Sequence, residues 1–465
     1  MKTTDYMEKL FYPKSIAYIG ATKRRIWNIM GIIERGYKGN LYIVSEKEQE
    51  ILGIKCHQSI SELPDKIDLT IIAITKKKLK DIIKKCIEKK FYTLHIFSAG
   101  LGEYDKLGIE LEHEIHEMLK NSDTRAIGPN CMGVYSTGGR ISYNPNFSKK
   151  IYESGCVAFV SHSGDLTSRY VSDANFYGIN FSAAASIGNT ISLKFSDFIE
   201  YFSSDEKTDI ISGYFEGFSQ FREFEGRDLL KVLKENKKPT LILRGGVTEK
   251  GAKTASSHTG SISSNSKIWN SVITQTGIIN VDTYEELMDS TIAFYYCKGL
   301  YPEVNSLILI TWSGGTAALG VDRILNLGVD VPEIQDPARS EMQSMISIGS
   351  VANPLDLPWI GHEKKYPEIC KIAIKEPYVG GVIIEAFAPR KFDEHHLLHH
   401  NNIMKIVNYT REAKKPFLMS LPHTRGIQRE KYKDILIKDK IPAFPSVERA
   451  ARAFSNLYKY KSKFI

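Results

Sequence analysis

Residues 253–264, KTASSHTGSISS, set one histidine, His258, among hydroxyls and glycine, with no carboxylate, cysteine or second histidine beside it. A metal ligand wants companions at ligand spacing, and a core histidine wants apolar neighbours. This setting suits an imidazole that is reachable and carries a group for a time. Ser256, Ser257, Thr259 and Ser261 can hydrogen-bond anionic oxygens without adding charge. The competing reading is a flexible surface loop with an incidental histidine. Chemistry at His258 needs two further parts: a cradle for an anion and a carboxylate that orients the ring.

A candidate exists for each. VSHSGD (160–165) leads a strand through Ser161, Ser163 and Gly164 into a helix, where unpaired N–H groups and the helix dipole favour an anion. Ser163 or Asp165 as a plain helix cap is the other reading. A serine nucleophile elbow is disfavoured, because Ser161 stands where G-x-S-x-G requires glycine. GYFEGF (213–218) leaves Glu216 at the end of an apolar strand, where a carboxylate is costly unless paired. It either bridges to a lysine or arginine or holds an imidazole N–H. GATKRR (20–25) follows the first strand. Gly20 permits a sharp turn, and Lys23, Arg24 and Arg25 stand where a dinucleotide fingerprint has glycines. The loop therefore favours phosphate held by cationic side chains, or is an ordinary turn with solvated charges. DEHHLLHH (393–400) gives two i,i+4 histidine pairs without a third ligand or the glutamate of H-E-x-x-H, and reads as a solvated helix face, with no metal site.

The elements that must position these residues alternate strand and helix. Apolar, often β-branched runs at 15–20, 40–45, 67–74, 93–100 and 125–130 end in small or polar residues, with helical segments such as 77–90 and 109–121 between the later ones. Such runs argue for a parallel sheet covered on both faces. A Gly/Ser/Asn-rich segment, 136–155, reads as a linker. The pattern restarts at CVAFVSHSGD (156–165) and again at SLILITWSGG (306–315). The third block repeats the second, with Glu216 and Glu385 at matching strand ends. The expected fold class is α/β: a Rossmann-like domain over 1–137, then two flavodoxin-like parallel-sheet domains over 150–299 and 303–462.

The totals fit a globular chain of 465 residues, 42% hydrophobic and 25% charged. No apolar run reaches the roughly 18 residues of a membrane span, and the N-terminus lacks a signal-peptide pattern. Six scattered cysteines without a C-x-x-C pair read as reduced residues of a cytoplasmic protein. Net charge is +8 with both signs interspersed, so no basic face with aromatic platforms marks a nucleic-acid partner.

Taken in order, LFYPKSIAYIGAT, IFSAG, GPNCMG, VSHSG, SIGN, YFEGF, GAKTASSHTG and NPLDL resemble the α subunit of NDP-forming acyl-CoA synthetases, the family of ADP-forming acetyl-CoA synthetase and succinyl-CoA synthetase. The resemblance covers about residues 8–460, and the third domain favours the acetyl-CoA-synthetase branch. It implies an acid–thiol ligase that converts acyl-CoA, ADP and phosphate reversibly to acid, CoA and ATP through an acyl phosphate. His258 would be the phosphohistidine and Glu216 its orienting carboxylate, with phosphate at Ser161–Gly164 and Ser257 and Thr259 beside it. CoA contacts would fall on Thr22, Lys23, Arg24 and Arg25, on Lys47, on Ile74 and Thr75, on Ser98 and Ala99, and on Asn130 and Cys131. ADP/ATP and Mg2+ would come through an ATP-grasp β subunit, in an α2β2 assembly. The chain departs from the family in four places: no second glycine in the first loop, His162 within VSHSG, Asp165 beside the expected phosphate site, and Ser45-Glu46 after the second strand. Those departures motivate a rival: a catalytically silent CoA- or acyl-CoA-binding sensor or scaffold of the same fold. A nicotinamide-dependent dehydrogenase would need the glycine fingerprint, which is missing.

Overall fold

The computed structural model describes residues 1–24, 26–144, 154–219, 221–259, 266–358, 365–422 and 426–464, the side chains of 256–259 excepted. Its strands include the short apolar runs of the sequence. The first sheet holds β1 (Ser15–Ile19), β2 (Asn40–Val44), β3 (Glu50–Ile51), β4 (Ile54–His57), β5 (Leu69–Ile72), β6 (Thr93–Ile96) and β7 (Arg125–Ile127), in the order β3-β4-β2-β1-β5-β6-β7. All pairs are parallel except β3–β4. β5 and β6 are buried along their whole length, as a sheet covered by helices on both faces demands. The chain leaves β1 towards β2 on one side and reaches β5 on the other, so the carboxyl ends of β1 and β5 flank a topological switch point.

The second sheet holds β8 (Gly133–Ser136), β9 (Val157–Ser161), β10 (Phe181–Ser186), β11 (Ile210–Phe215), β12 (Thr240–Arg244) and β13 (Ile279–Val281), in the order β13-β12-β11-β9-β10-β8. β8 is its antiparallel edge. The start of the expected linker is therefore structured: Ser136 is in β8, and Ile141, Ser142 and Tyr143 are buried. The helix Thr3–Phe11 packs on the helix Phe195–Ser204, with Phe11 stacked on Tyr201 at 5.6 Å and the Tyr201 hydroxyl donating to Glu8 at 2.6 Å.

The third sheet holds β14 (Leu307–Thr311), β15 (Leu355–Asp356), β16 (Gly381–Glu385), β17 (Phe417–Ser420) and β18 (Ala443–Phe444), in the order β15-β14-β16-β17-β18. This is the parallel order of β10-β9-β11-β12-β13, as the internal repeat requires. The registers revise one detail of that repeat. Val160 pairs with Gly213, and its counterpart Ile310 pairs with Ile384. Glu385 therefore stands at the place of Tyr214, and Glu216 at the place of Phe387.

The chain forms two compact units, Met1–Asp282 and Thr283–Ile465. The helix Tyr284–Tyr296 falls within the second of these units. There buried Asp289 accepts from Arg449 at 2.8 Å and Ser290 bonds Asn456 at 2.9 Å. The four histidines of 395–400 do not form a solvated face: His396 and His399 are buried, and His400 pairs with Asp439 at 2.8 Å. Among the described residues no cluster of three or more potential metal ligands occurs, and no helix is long and apolar enough to cross a membrane.

Candidate functional site

Five loops meet at the carboxyl edge of the first sheet. Gly20 leaves β1 with φ +92°, and a Cβ there would lie 2.5 Å from the Ala73 carbonyl oxygen, so only glycine brings the first loop against the end of β5. Ser45, 1% exposed, donates its hydroxyl to the Ala21 carbonyl at 2.8 Å and accepts the Glu48 N–H at 3.1 Å. Ser45 thus ties the second loop to the first. Glu46, the acid that a dehydrogenase would aim at a ribose, is held by Lys78 at 2.7 Å.

Two cavities open between these loops. The smaller, about 330 Å³, is lined by Gly20, Thr22, Lys47, Ile74 and Thr75, and by Lys78 and Lys85. Sequence reasoning missed those two lysines, which lie on the helix Lys76–Glu88. The larger, about 680 Å³, is lined by Arg24, Ile74, Ser98, Ala99, Asn130 and Cys131. Tyr18, Trp27, Asn28, Phe97 and Met132 complete its walls, and Gly164 and Asp165 its far end. The cavities share Ala73 and Ile74. Lys23 lines neither; it is exposed, 3.8 Å from Glu48. Arg25 lies outside the described residues.

Hydrogen bonds fix the cavity wall. The Ser98 hydroxyl donates to the Ile74 carbonyl at 2.6 Å, and Asn130, with φ +58°, donates its N–H to Ser98 at 2.9 Å. Burial pushes the Cys131 thiol up, which favours the protonated form over the thiolate. GPNCMG and SIGN interlock: Gly188, at φ +56°, would place a Cβ 2.1 Å from the Pro129 carbonyl oxygen, and Asn189 N–H bonds that oxygen at 3.1 Å.

At the far end, the Ser161 hydroxyl bonds within its own turn, accepting the Ser163 N–H at 3.0 Å, and Ser163 caps the helix Gly164–Phe176 through the Leu166 N–H at 3.3 Å. Both hydroxyls build the helix start, which leaves Gly164 and Asp165 as the residues on the cavity. A Cβ on Gly164 would lie 2.4 Å from Met132 Cγ, so glycine lets the helix end close on the GPNCMG loop. Asp165 is exposed in the first turn, the favourable end of the helix dipole for an acid.

Glu216 is 8% exposed at the end of β11. Its backbone N–H donates to Nδ1 of His162 at 3.1 Å, and its carboxylate, together with burial, holds the Tyr214 phenol well above its ordinary range. His162, 3% exposed and stacked on Phe195 at 5.7 Å, is driven down to about 3 by burial and by Arg222. It is a neutral core histidine. His258 lies on the helix Glu249–Thr259, not in a loop as the composition suggests. That helix starts where the Thr248 hydroxyl accepts the Gly251 N–H at 3.1 Å. The side chains of Ser257, His258 and Thr259 lie outside the described residues.

The arrangement can hold an extended ligand, with phosphates beside lysines at one end, an uncharged middle, and a reactive group at a helix N-terminus. Residues 14–137 match the CoA binding domain family and residues 154–294 the succinyl-CoA ligase like flavodoxin domain family. The chain is 30% identical, over 98% of its length, to the α subunit of acetate–CoA ligase [ADP-forming] I of Pyrococcus furiosus, and spans 97% of that protein. It is 29% identical to 4-hydroxybutyrate–CoA ligase [ADP-forming] of Nitrosopumilus maritimus but spans only 63% of it. Among solved structures, the Ca. Korarchaeum cryptofilum dinucleotide-forming acetyl-coenzyme A synthetase 1, with phosphate and ADP, matches with a TM-score of 0.84 at 27% identity, covering 98% of this chain and 97% of that one.

Proposed function

This chain belongs to the family of ADP-forming acyl-CoA ligase α subunits, and from that membership we propose that it binds acyl-CoA at the first sheet and passes phosphate through His258. The observation that carries the reading is the continuity of the larger cavity, from Arg24 at the first loop to Gly164 at the helix N-terminus. A CoA thioester laid along the carboxyl edge would put its diphosphate near Arg24, with Lys47, Lys78 and Lys85 at the smaller cavity, and its carbonyl towards Gly164.

Phosphate then attacks the thioester carbonyl, the C–S bond breaks, and CoA leaves as thiolate with an acyl phosphate formed. The imidazole of His258 attacks phosphorus, and the carboxylate departs. The phosphoryl group passes from His258 to ADP. Phosphoryl transfer needs mainly positioning and charge stabilisation. The helix start at Gly164–Asp165 offers neutral backbone N–H donors for that purpose, and Glu216 is the carboxylate proposed to orient an imidazolium. The chain would take ADP and Mg2+ from an ATP-grasp β subunit in an α2β2 assembly, inside the cytoplasm.

Asp165, exposed on the cavity, favours a second reading: a silent CoA- or acyl-CoA-binding protein in which a carboxylate occupies the phosphate end. Incubation with a β subunit, acetyl-CoA, ADP and phosphate decides between them. The enzyme reading expects acid-labile phosphate on His258, and a His258→Asn variant that loses both label and ATP formation while keeping CoA affinity within about twofold. Wild-type chain that binds CoA but never labels supports the silent protein.

A further inference from the structure

Two residues of the larger cavity have no part in the reading above. Trp27 and Asn28 open the helix Trp27–Glu34. Asn28 is 4% exposed, and its amide nitrogen is buried without a hydrogen-bond partner among the described residues. A buried amide that leaves a donor unmet destabilises the fold, and such groups recur where a ligand completes them. Trp27 is the opposite case: its large side chain is 46% exposed on the same cavity, and Phe97, also on its lining, is 38% exposed.

The helix that carries them is held firmly. Ile29 and Ile32 enter the core, and Gly31 lies so close to the 141–144 segment that a Cβ would stand 2.3 Å from the Ser142 carbonyl oxygen. No side chain caps this helix and no acid occupies its first turn. Among the described residues the cavity's charges are Arg24, on the first loop, and Asp165, at the far helix end. The other described lining residues are neutral: Tyr18, Trp27, Phe97 and Met132 supply apolar surface, and Asn28, Ser98 and Asn130 supply uncharged polar groups. Such walls recognise an uncharged chain of carbons that carries oxygen atoms.

We propose that Trp27 and Asn28 form a subsite for the neutral part of the acyl thioester, with the Asn28 carboxamide hydrogen-bonding an oxygen of that chain and the Trp27 indole covering its aliphatic carbons. The subsite rests on the reading that this chain binds acyl-CoA. The oxygen belongs either to the pantetheine amides, common to every CoA ligand, or to a hydroxyl of the acyl group.

Calorimetric titration of wild type and Asn28→Leu with CoA, acetyl-CoA and a 4-hydroxyacyl-CoA tests it. Leucine removes the unmet donor at similar volume, so the variant should melt at or above the wild-type temperature while binding about tenfold more weakly. Loss for all three ligands assigns the oxygen to pantetheine; loss for the hydroxyacyl ligand alone assigns it to the acyl group. Equal affinity of variant and wild type for all three overturns the subsite alone. Wild type that binds none of them overturns the thioester reading, and the subsite with it. Tryptophan fluorescence gives an independent readout: ligand should change the wild-type emission, and Trp27→Phe should remove that change. An undiminished change in Trp27→Phe contradicts contact at Trp27.

Discussion

Glu112 is 3% exposed, and its Oε2 accepts from the Gly102 N–H at 2.8 Å and from the Asn189 amide at 2.9 Å. The same Asn189 nitrogen reaches Glu103 at 2.9 Å, so one side chain of the SIGN motif holds two carboxyls that follow β6. Burial wins over both hydrogen bonds and pushes Glu112 up to about 7 from its ordinary 4.5. The folded chain then keeps a proton that the unfolded chain has lost. Its stabilisation is complete below about pH 4.5 and is lost as pH rises through about 7. Melting curves should show wild type losing on the order of 2 kcal/mol relative to Glu112→Gln between pH 5 and 8. Parallel curves for the two proteins would place the Glu112 titration elsewhere.

Between elements, the glycines decide which segments can meet. Gly188 combines φ +56° with a Cβ position 2.1 Å from backbone, whereas Gly36, at φ +68°, has nothing within 4 Å. Gly188→Ala should therefore cost about 3 kcal/mol and weaken CoA binding, because Asn130 and Cys131 follow the displaced Pro129. Gly36→Ala should cost about 1 kcal/mol and leave affinity alone. Denaturant titration with a CoA-binding assay checks both, and equal losses would show that φ alone matters. The elements themselves were legible where side chains declare them. SIAYI and LTII are apolar and β-branched, and they form β1 and β5. FSAAAS forms β10 through tertiary burial of every residue, although alanine favours helix, so no local signal marked it. The Ser/Thr-rich run to Thr259 reads as loop, yet Thr248 starts a helix through it. Asn28 carries no motif; only its burial beside a cavity sets it apart. Lys78 and Lys85 likewise carry no motif; they line the smaller cavity because the helix Lys76–Glu88 follows β5.

At the scale of the whole chain, the repeat supplies the same strand order twice but not the same site. VSHSG and ITWSG both place a serine and a glycine at a helix start, Ser163-Gly164 and Ser313-Gly314. The two carboxylates that appear to match in sequence are offset by two residues in register, which keeps the face of the sheet and changes the depth. Glu216 lies past the end of β11, next to Tyr214 and the Gly245 turn. Glu385 is the last residue of β16, 8% exposed, and its Oε2 has no hydrogen-bond partner among the described residues. The copies should therefore respond differently to neutralisation. Glu216→Gln should slow phosphate transfer to His258 by about a hundredfold, since an imidazolium loses its counter-charge. Glu385→Gln should leave that rate within about twofold and raise the melting temperature, because a buried carboxylate becomes a neutral amide. Quench-flow labelling of the two variants, beside their melting curves, separates the roles. A hundredfold loss in Glu385→Gln would mean that the third sheet supplies the orienting carboxylate, and that the sequence match was the better guide to chemistry than the strand register.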